Sequence, residues 1–303
     1  MDEIDAEGYR RKIRIAAPIL ALILITAVVL CMTIWPGGIR YYVTQYADAT
    51  GLQAMFYTIE SNRGDLVIID GGNAGNEDYL REIIRKKGGH VDAWIVTHPH
   101  PDHVGAFNRL WDEIKGDVDM VYTVELDYNA YREKAREWDG FEEYERFLEY
   151  MEGDDRLTYL HTGDEPEICG LQCKVFSAYD GWVNQNSGDL CNDGSLMLRV
   201  ANKEESILFC ADIGQVMSDK IIQEYGEELK CDYIQMGHHG NGGLSEEFYR
   251  LTRPKAAFFD APEWLMNPAE GLNYTTPAKR ELMESMGAEI FYYKTAPNRI
   301  ELK

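Results

Sequence analysis

The stretch Val91-Asp92-Ala93-Trp94-Ile95-Val96-Thr97-His98-Pro99-His100-Pro101-Asp102-His103 decides the fold. Its first seven residues read as a buried strand, and the following six place four metal-capable side chains on a tight, proline-stiffened loop. Imidazole and carboxylate suit Zn, Mn or Fe, and packing this dense lets one loop serve two adjacent ions. Three of the chain's seven histidines fall here, a concentration that a solvent-facing polar loop does not need.

Working outward, strand-like runs precede the loop at Tyr41–Tyr46, Ala54–Glu60 and Leu66–Ile69, and Asn76–Lys87 has a helical pattern that closes at Gly88-Gly89. Beyond the loop, residues 126–152 read as a helical insertion, with Tyr128, Tyr131, Ala135, Trp138, Phe141, Tyr144, Leu148 and Met151 at three- to four-residue spacing. The aromatic face is expected to pack the insertion onto the core; the sharper alternative is a wall beside the substrate. Trp182 and Trp264 are placed in loops and are open to the same two readings. A second strand group follows at Cys173–Ser177, Ser195–Val200, Ser206–Cys210 and Cys231–Met236. Helices are expected at Phe248–Leu251 and Pro277–Met286, and a last strand at Ala288–Tyr293. Alternating strands and helices of this kind indicate α/β layers.

At this point the sequence resembles the metallo-β-lactamase superfamily, whose signature is the H-x-H-x-D-H loop. The resemblance covers nearly the whole chain after residue 35 and implies an αββα sandwich with a two-metal site at its edge. Asp70, closing Leu66-Val67-Ile68-Ile69, sits where the family braces its histidine loop. Asp212, closing Leu208-Phe209-Cys210-Ala211, matches the carboxylate that bridges the metals, and His238-His239 matches the late histidine of the second metal. Within the superfamily the chain looks most like the hydrolase domain of ComEC-type DNA-uptake proteins, through Thr97–His103, Asn192-Asp193-Gly194-Ser195-Leu196, Phe209–Asp212, Gly237–Asn241 and Asn273–Pro277. Secreted phosphorylcholine esterases share much of this pattern. The family's third-motif histidine has no counterpart, and Asn192 or Asp193 occupies roughly its place. Asn241 stands where a serine is usual, and Thr276-Pro277 where the branch has His-Pro.

The implied roles are concrete. His98 and His100 are expected to hold one divalent ion and Asp102 and His103 the other, with Asp212 reaching both. Zinc is the leading candidate, with Mn and Fe open. Two ions about 3.5–4 Å apart would generate a hydroxide at neutral pH. Of the late pair, His238 is expected to be the ligand because it comes first after its strand, leaving His239 as general acid. Asp102, His239 and Asn192 are thus the expected catalytic residues, and Asp70 the loop brace. His90 and His161 are expected to be exposed.

Residues 15–35 contain no charge, and 21 residues at about 1.5 Å each span a bilayer's hydrocarbon core. Arg10, Arg11, Lys12 and Arg14 precede the run, whereas Arg40 is the only base in the 25 residues after it. The positive-inside rule then predicts a cytoplasmic tail (1–14), a single transmembrane helix (15–35) and an extracellular hydrolase domain (36–303) at the cell membrane. Five cysteines lie beyond the anchor, an odd number that leaves at least one without an intrachain partner. None forms a C-x-x-C, and Cys210 and Cys231 read as buried thiols.

The chain carries 52 acidic and 30 basic residues, a net charge of −22, and all of this excess lies after residue 35. Such a field opposes extended nucleic acid as partner but not phosphate chemistry at a metal. The sequence therefore points to a membrane-anchored, metal-dependent hydrolase of phosphoesters. A carboxylic-ester or lactone hydrolase of the same fold, and a non-catalytic surface binding module, are the alternatives.

Overall fold

In the computed structural model, residues 38–303 are described except residue 295, together with residues 23 and 26. The expected membrane anchor (15–35) and cytoplasmic tail lie almost wholly outside the described residues. No helix among the described residues is long and apolar enough to cross a membrane. The chain divides into two units, 1–40 and Tyr41–Lys303, and the second holds both sheets.

The first sheet takes β1 (Tyr41–Gln45), β2 (Phe56–Ser61), β3 (Leu66–Asp70), β4 (Ala93–Ile95), β5 (Val121–Thr123) and β6 (Leu157–Tyr159). The second takes β7 (Glu167–Ile168), β8 (Leu171–Ser177), β9 (Met197–Ala201), β10 (Ser206–Phe209), β11 (Tyr233–Gln235), β12 (Ala256–Phe258) and β13 (Glu289–Phe291), and β14 (Asn298–Leu302) returns to the first sheet beside β1. Each sheet is built on one plan. Pairing is antiparallel along β14-β1-β2-β3 and becomes parallel from β3 through β4 and β5 to β6. Likewise β7-β8-β9-β10 are antiparallel and β10 through β13 parallel.

The two sheets pack face to face. Tyr57 of β2 meets Phe209 of β10 edge-on, with ring centroids 5.2 Å apart, and Gln45 of β1 donates from Nε2 to the Phe259 carbonyl after β12 at 2.9 Å. Helices Glu77–Lys86, Pro101–Ile114 and Phe141–Met151 cover the outer face of the first sheet, where Trp94, Phe107, Leu110, Trp111, Phe147 and Met151 share one buried cluster. Helices Ser218–Tyr225, Glu246–Thr252 and Thr276–Ser285 accompany the second sheet. Central strands buried on both faces explain the unbroken apolar run of β3, all five of whose residues are buried.

Three expectations change. The loop expected at His98–His103 is a loop only as far as His100: Pro101 opens a 14-residue helix, so Asp102 and His103 stand in its first turn. Proline suits that first position because its missing N–H would have no helical partner there. The strand expected over Val91–Thr97 keeps only Ala93–Ile95. Trp182 and Trp264 lie in short helices, Gly181–Asn186 and Glu263–Met266, and not in loops. The insertion appears as helices Tyr128–Lys134 and Phe141–Met151, with Tyr131 and Tyr144 buried. Between them Gly140 holds φ at +59°, where a Cβ would collide with Pro101 Cγ. Glycine there lets the insertion close on the histidine segment.

Candidate metal centre

Both sheets switch from antiparallel to parallel pairing, at β3/β4 and at β10/β11, and the candidate residues follow the carboxyl ends of those four strands. In open α/β sheets this is where a crevice forms, because chains leaving adjacent strands diverge. Asp70 ends β3, His98 to His103 follow β4, Asp212 follows β10, and His238 and His239 follow β11. The structure brings all of them except His238 together, with every side chain buried but Asp102, which is half-buried.

Asp70 is wholly buried, in a left-handed conformation at φ +54°. Its Oδ2 accepts from His103 Nδ1 and from Thr97 Oγ1, each at 2.7 Å, and its Oδ1 accepts from the Thr97 amide at 2.7 Å. One carboxylate thus fixes both ends of the histidine segment and leaves Nε2, not Nδ1, of His103 facing the centre. Asp212 is oriented by a residue without a role in the sequence-based expectations: buried Gln235 accepts at Oε1 from the amides of Cys210 and Ala211, both at 2.8 Å. Nothing local flags this role, since a strand glutamine gains it only when β10 and β11 lie side by side.

Two clusters of possible ligands result. His98, His100 and Cys191 form one; Asp102, His103, Asp212 and His239 form the other; within each, the ligand atoms lie within 4.8 Å of one another. His239 Nε2 is 3.1 Å from both Asp102 Oδ2 and Asp212 Oδ2, and His103 Nε2 is 3.3 Å from Asp212 Oδ1. The Nε2 atoms of His98 and His100 are buried and have no hydrogen-bond partner, and those of His103 and His239 meet only the carboxylates of their own cluster. Buried polar atoms are ordinarily paired. Imidazole and carboxylate atoms converging on one another in a small buried volume are what a divalent cation needs, so the residues fit a metal centre.

Electrostatics separates the clusters. Burial holds the His98 imidazole well below its usual pKa, assisted by the neighbouring rings of His103 and His100, and burial also lowers His100 against the pull of Asp102, Asp189 and Asp212. These rings are neutral donors. Burial opposes charge on His103 too, but Asp212, Asp70 and Asp102 overcome it and hold the ring well above the usual range. His239 is likewise lifted to about 10, burial being outweighed by Asp212 and Asp102. Without metal the second cluster is therefore an ion-paired set that must release protons when a cation enters.

The late histidine pair falls the other way round from the expectation. His239, not His238, sits in the cluster and is fully buried. His238 lies with its side chain 35% exposed on the wall of the cavity, its Nε2 3.9 Å from Asp212 Oδ2. Two consecutive left-handed residues cause this: φ is +52° at His238 and +56° at His239, which curls the chain so that the second ring turns inward. Asn192 also lines this cavity, with Oδ1 buried and unpaired. Asp193 is occupied elsewhere, accepting from Ser187 and from the Gly214 amide. Cys191, to which no role was assigned, is the residue brought beside His98 and His100. His90 and His161 are exposed and sit near Asp119 and Asp164.

The cavity over the centre measures about 320 Å³. His100, Asp102, Asp212 and His238 contribute to it, and Arg136 and Trp138 of the insertion stand at its edge. Trp138 is 76% exposed, with the Arg136 guanidinium 5.7 Å from its ring centre. The other insertion aromatics pack among themselves and on the core, so the two readings of that face divide: Tyr131 and Tyr144 pack, and Trp138 borders the cavity. Trp182 and Trp264 do not line it.

Comparison with known proteins agrees with this geometry. The family profile of the metallo-beta-lactamase superfamily matches residues 49–171. No curated protein sequence matches the chain. Among solved structures, the metallo-beta-lactamase fold protein YhfI from Bacillus subtilis superposes with a TM-score of 0.54 at 11% identity, covering 86% of this chain and 99% of that one. Igni18, a metallo hydrolase from the archaeon Ignicoccus hospitalis, gives 0.51 at 13% identity over 87% and 99%. CmlA, a diiron beta-hydroxylase from Streptomyces venezuelae, gives 0.51 at 15% over 86% of this chain and 54% of its own. The chain has the metallo-β-lactamase fold.

Proposed function

We propose that this chain is a metal-dependent hydrolase of phosphoesters, anchored to the cell membrane through residues 15–35 with the catalytic domain outside. The fold alone does not choose the reaction, since its relatives include a hydrolase and a hydroxylase. The observation that carries the reading is the cavity itself, with unpaired metal-type donors on its floor and a guanidinium with an exposed indole at its edge.

His98 and His100 would hold one ion, Asp102, His103 and His239 the other, and Asp212, whose charge acts on the rings of both clusters, would serve both. Bound divalent ions there would supply Lewis acidity and lower the pKa of a water molecule. The remaining work falls to the chain. Arg136 offers a planar fork suited to phosphoryl oxygens. Its present partners, Asp189 Oδ2 and the Gly188 carbonyl at 3.3 Å each, are weak enough to share it. His238, exposed on the cavity wall, is placed to give a proton to the departing oxygen. The Asn192 amide stands ready to contact the substrate, and Trp138 presents an aromatic face that suits an apolar or quaternary ammonium group.

The acid excess favours a small phosphodiester over an extended polyanion. The anchor reading rests on the uncharged 21-residue run and the basic cluster before it. The test is a parallel screen of metal-loaded protein against bis-p-nitrophenyl phosphate, p-nitrophenyl phosphorylcholine, single-stranded DNA, a lactone and a β-lactam, with His100→Ala and Asp212→Ala as controls. Phosphodiester turnover lost in both variants is expected. Turnover of the lactone or β-lactam alone, or activity surviving both substitutions, refutes the reading. Protease added to intact cells should remove the domain; full protection would overturn the placement outside.

A further inference from the structure

We propose that Cys191 is the third protein ligand of the ion held by His98 and His100, making that site a two-histidine, one-thiolate centre. The inference deepens the reading of the clusters as a metal centre and does not depend on which substrate is cleaved.

Three observations meet at this sulfur. First, Cys191 Sγ and the ligand nitrogens of His98 and His100 lie within 4.8 Å of one another, and all three side chains are buried. Donors around a tetrahedral zinc stand about 3.5 Å apart, so small side-chain adjustments would close the group on an ion. Second, both His98 Nε2 and His100 Nε2 lack any hydrogen-bond partner despite their burial, so the thiol's neighbours are themselves missing a ligand. Third, Cys191 is a free cysteine, and the chain around it is held by other groups. Asp189 Oδ1 accepts from the Asn192 amide at 3.2 Å, and Asp193 Oδ1 accepts from the Gly214 amide at 2.9 Å. The turn Leu190–Asp193 is thereby fixed with the sulfur inside and both acids outside the ligand group. The buried Tyr131 hydroxyl, on the insertion helix, lies beside the sulfur. A hydroxyl donor is the kind of outer partner that orients a metal-bound thiolate.

The sequence leaves this place open, because no histidine is available for a third position. A carboxamide at Asn192 or a carboxylate at Asp193 would favour harder ions. A thiolate instead selects Zn, Co or Cd over Mn or Mg at this site.

Cobalt substitution tests the assignment without reference to turnover. Protein stripped with a chelator and reloaded with Co(II) to two equivalents should show a thiolate-to-cobalt charge-transfer band in the near ultraviolet. Cys191→Ser and Cys191→His should lose that band, with Cys191→His still binding two equivalents. Cys191→Ser should bind the first-site ion more than about 100-fold more weakly, beyond the usual effect of an outer-shell partner. Cys210→Ser, at a buried thiol outside both clusters, should keep the band. If neither Cys191 variant folds, the wild-type spectrum with the Cys210→Ser control decides. Two bound equivalents with no thiolate band would overturn the assignment and leave the metal-centre reading standing. A band that survives in a folded Cys191 variant, or disappears in Cys210→Ser, also overturns it. Failure to bind cobalt at all would remove both.

Discussion

Asp70→Asn offers the sharpest perturbation of the centre, because it changes hydrogen-bond polarity and almost nothing else. Asparagine tolerates the left-handed backbone that residue 70 adopts at φ +54°. Its Oδ1 can keep the bond to the Thr97 amide, now 2.7 Å. The other position becomes an NH2 facing His103 Nδ1, where an oxygen now accepts at 2.7 Å. Two donors cannot share that contact, so the neutral ring must place its proton on Nε2, the atom facing Asp212 at 3.3 Å. A ring protonated at Nε2 cannot bind a metal through it. Removing an outer-shell partner of this kind lowers metal affinity about 10- to 100-fold, or about 1.4–2.8 kcal/mol.

Folding stability should suffer less than the loss of a buried ion pair implies. Asp212 and Asp102 also stabilise the His103 cation, so about 1–3 kcal/mol, the usual range for a broken buried hydrogen bond, is expected for the metal-free protein. Asp70→Ala should cost at least about 1 kcal/mol more, from the left-handed backbone alone. Zinc titration against a competing chelator, paired with melting of the stripped protein, measures both quantities. Zinc affinity within threefold of wild type in a folded Asp70→Asn protein would refute the argument that Asp70 sets the His103 tautomer.

Three further outcomes are expected from the geometry. His239→Asn should lose one bound metal equivalent, whereas His238→Asn should keep both and lower kcat about 100-fold; metal analysis showing the reverse would restore His238 as the ligand. Burial raises the Asp260 carboxyl to about 6, against the lowering effects of His239 and of hydrogen bonds from Tyr57 and Gln45. The folded state therefore holds this proton to higher pH than the unfolded chain does, so its contribution to stability is greatest below about pH 4 and is lost as pH rises to about 6, amounting to about 3 kcal/mol. Asp260→Asn should remove that slope from the melting profile of stripped protein; an unchanged slope would rule out Asp260 as its source. Trp138→Ala, at a largely exposed side chain, should shift stability by less than about 0.5 kcal/mol yet raise KM for p-nitrophenyl phosphorylcholine more than for bis-p-nitrophenyl phosphate; equal effects on both substrates would place Trp138 outside recognition of the choline group.

What the sequence made legible is local chemistry. Four ligands within six residues can be seen without any fold, and Asp70 and Asp212, each at the close of an apolar run, are marked by the family resemblance. The alternation of strands and helices announced the layers. What stayed hidden depends on residues far apart in the chain. Gln235 gains its role by pairing of β10 with β11, and Cys191 gains its neighbours when the short turn Leu190–Asp193 is carried to the end of β4. Strands β5, β6, β7, β12 and β14 lie outside the strand-like runs of the sequence; four of them have only two or three residues, too short for alternation to register. Two adjacent left-handed histidines could not be anticipated either, since residues with a Cβ rarely adopt that conformation and nothing in Gly237–Gly240 marks it.

The acidity of the chain and the chemistry of its cavity are connected through the metals. Asp102, Asp139, Asp189 and Asp212 line the cavity, and Arg136 is the single Lys or Arg side chain among its lining residues. These carboxylates oppose phosphate at the cavity walls, and the net charge of −22 extends that repulsion over the domain. Two divalent ions held there would reverse the sign only at the floor, within a few ångströms of the ligands. A thiolate at Cys191 would bring the loaded cavity close to neutral. On the proposed function, a substrate with one phosphodiester charge, or a zwitterion, would then meet attraction at the reacting group. An extended polyanion would have to hold its flanking phosphates against a domain of strong net negative charge. On the proposed function, the charge distribution would select on the length of the substrate.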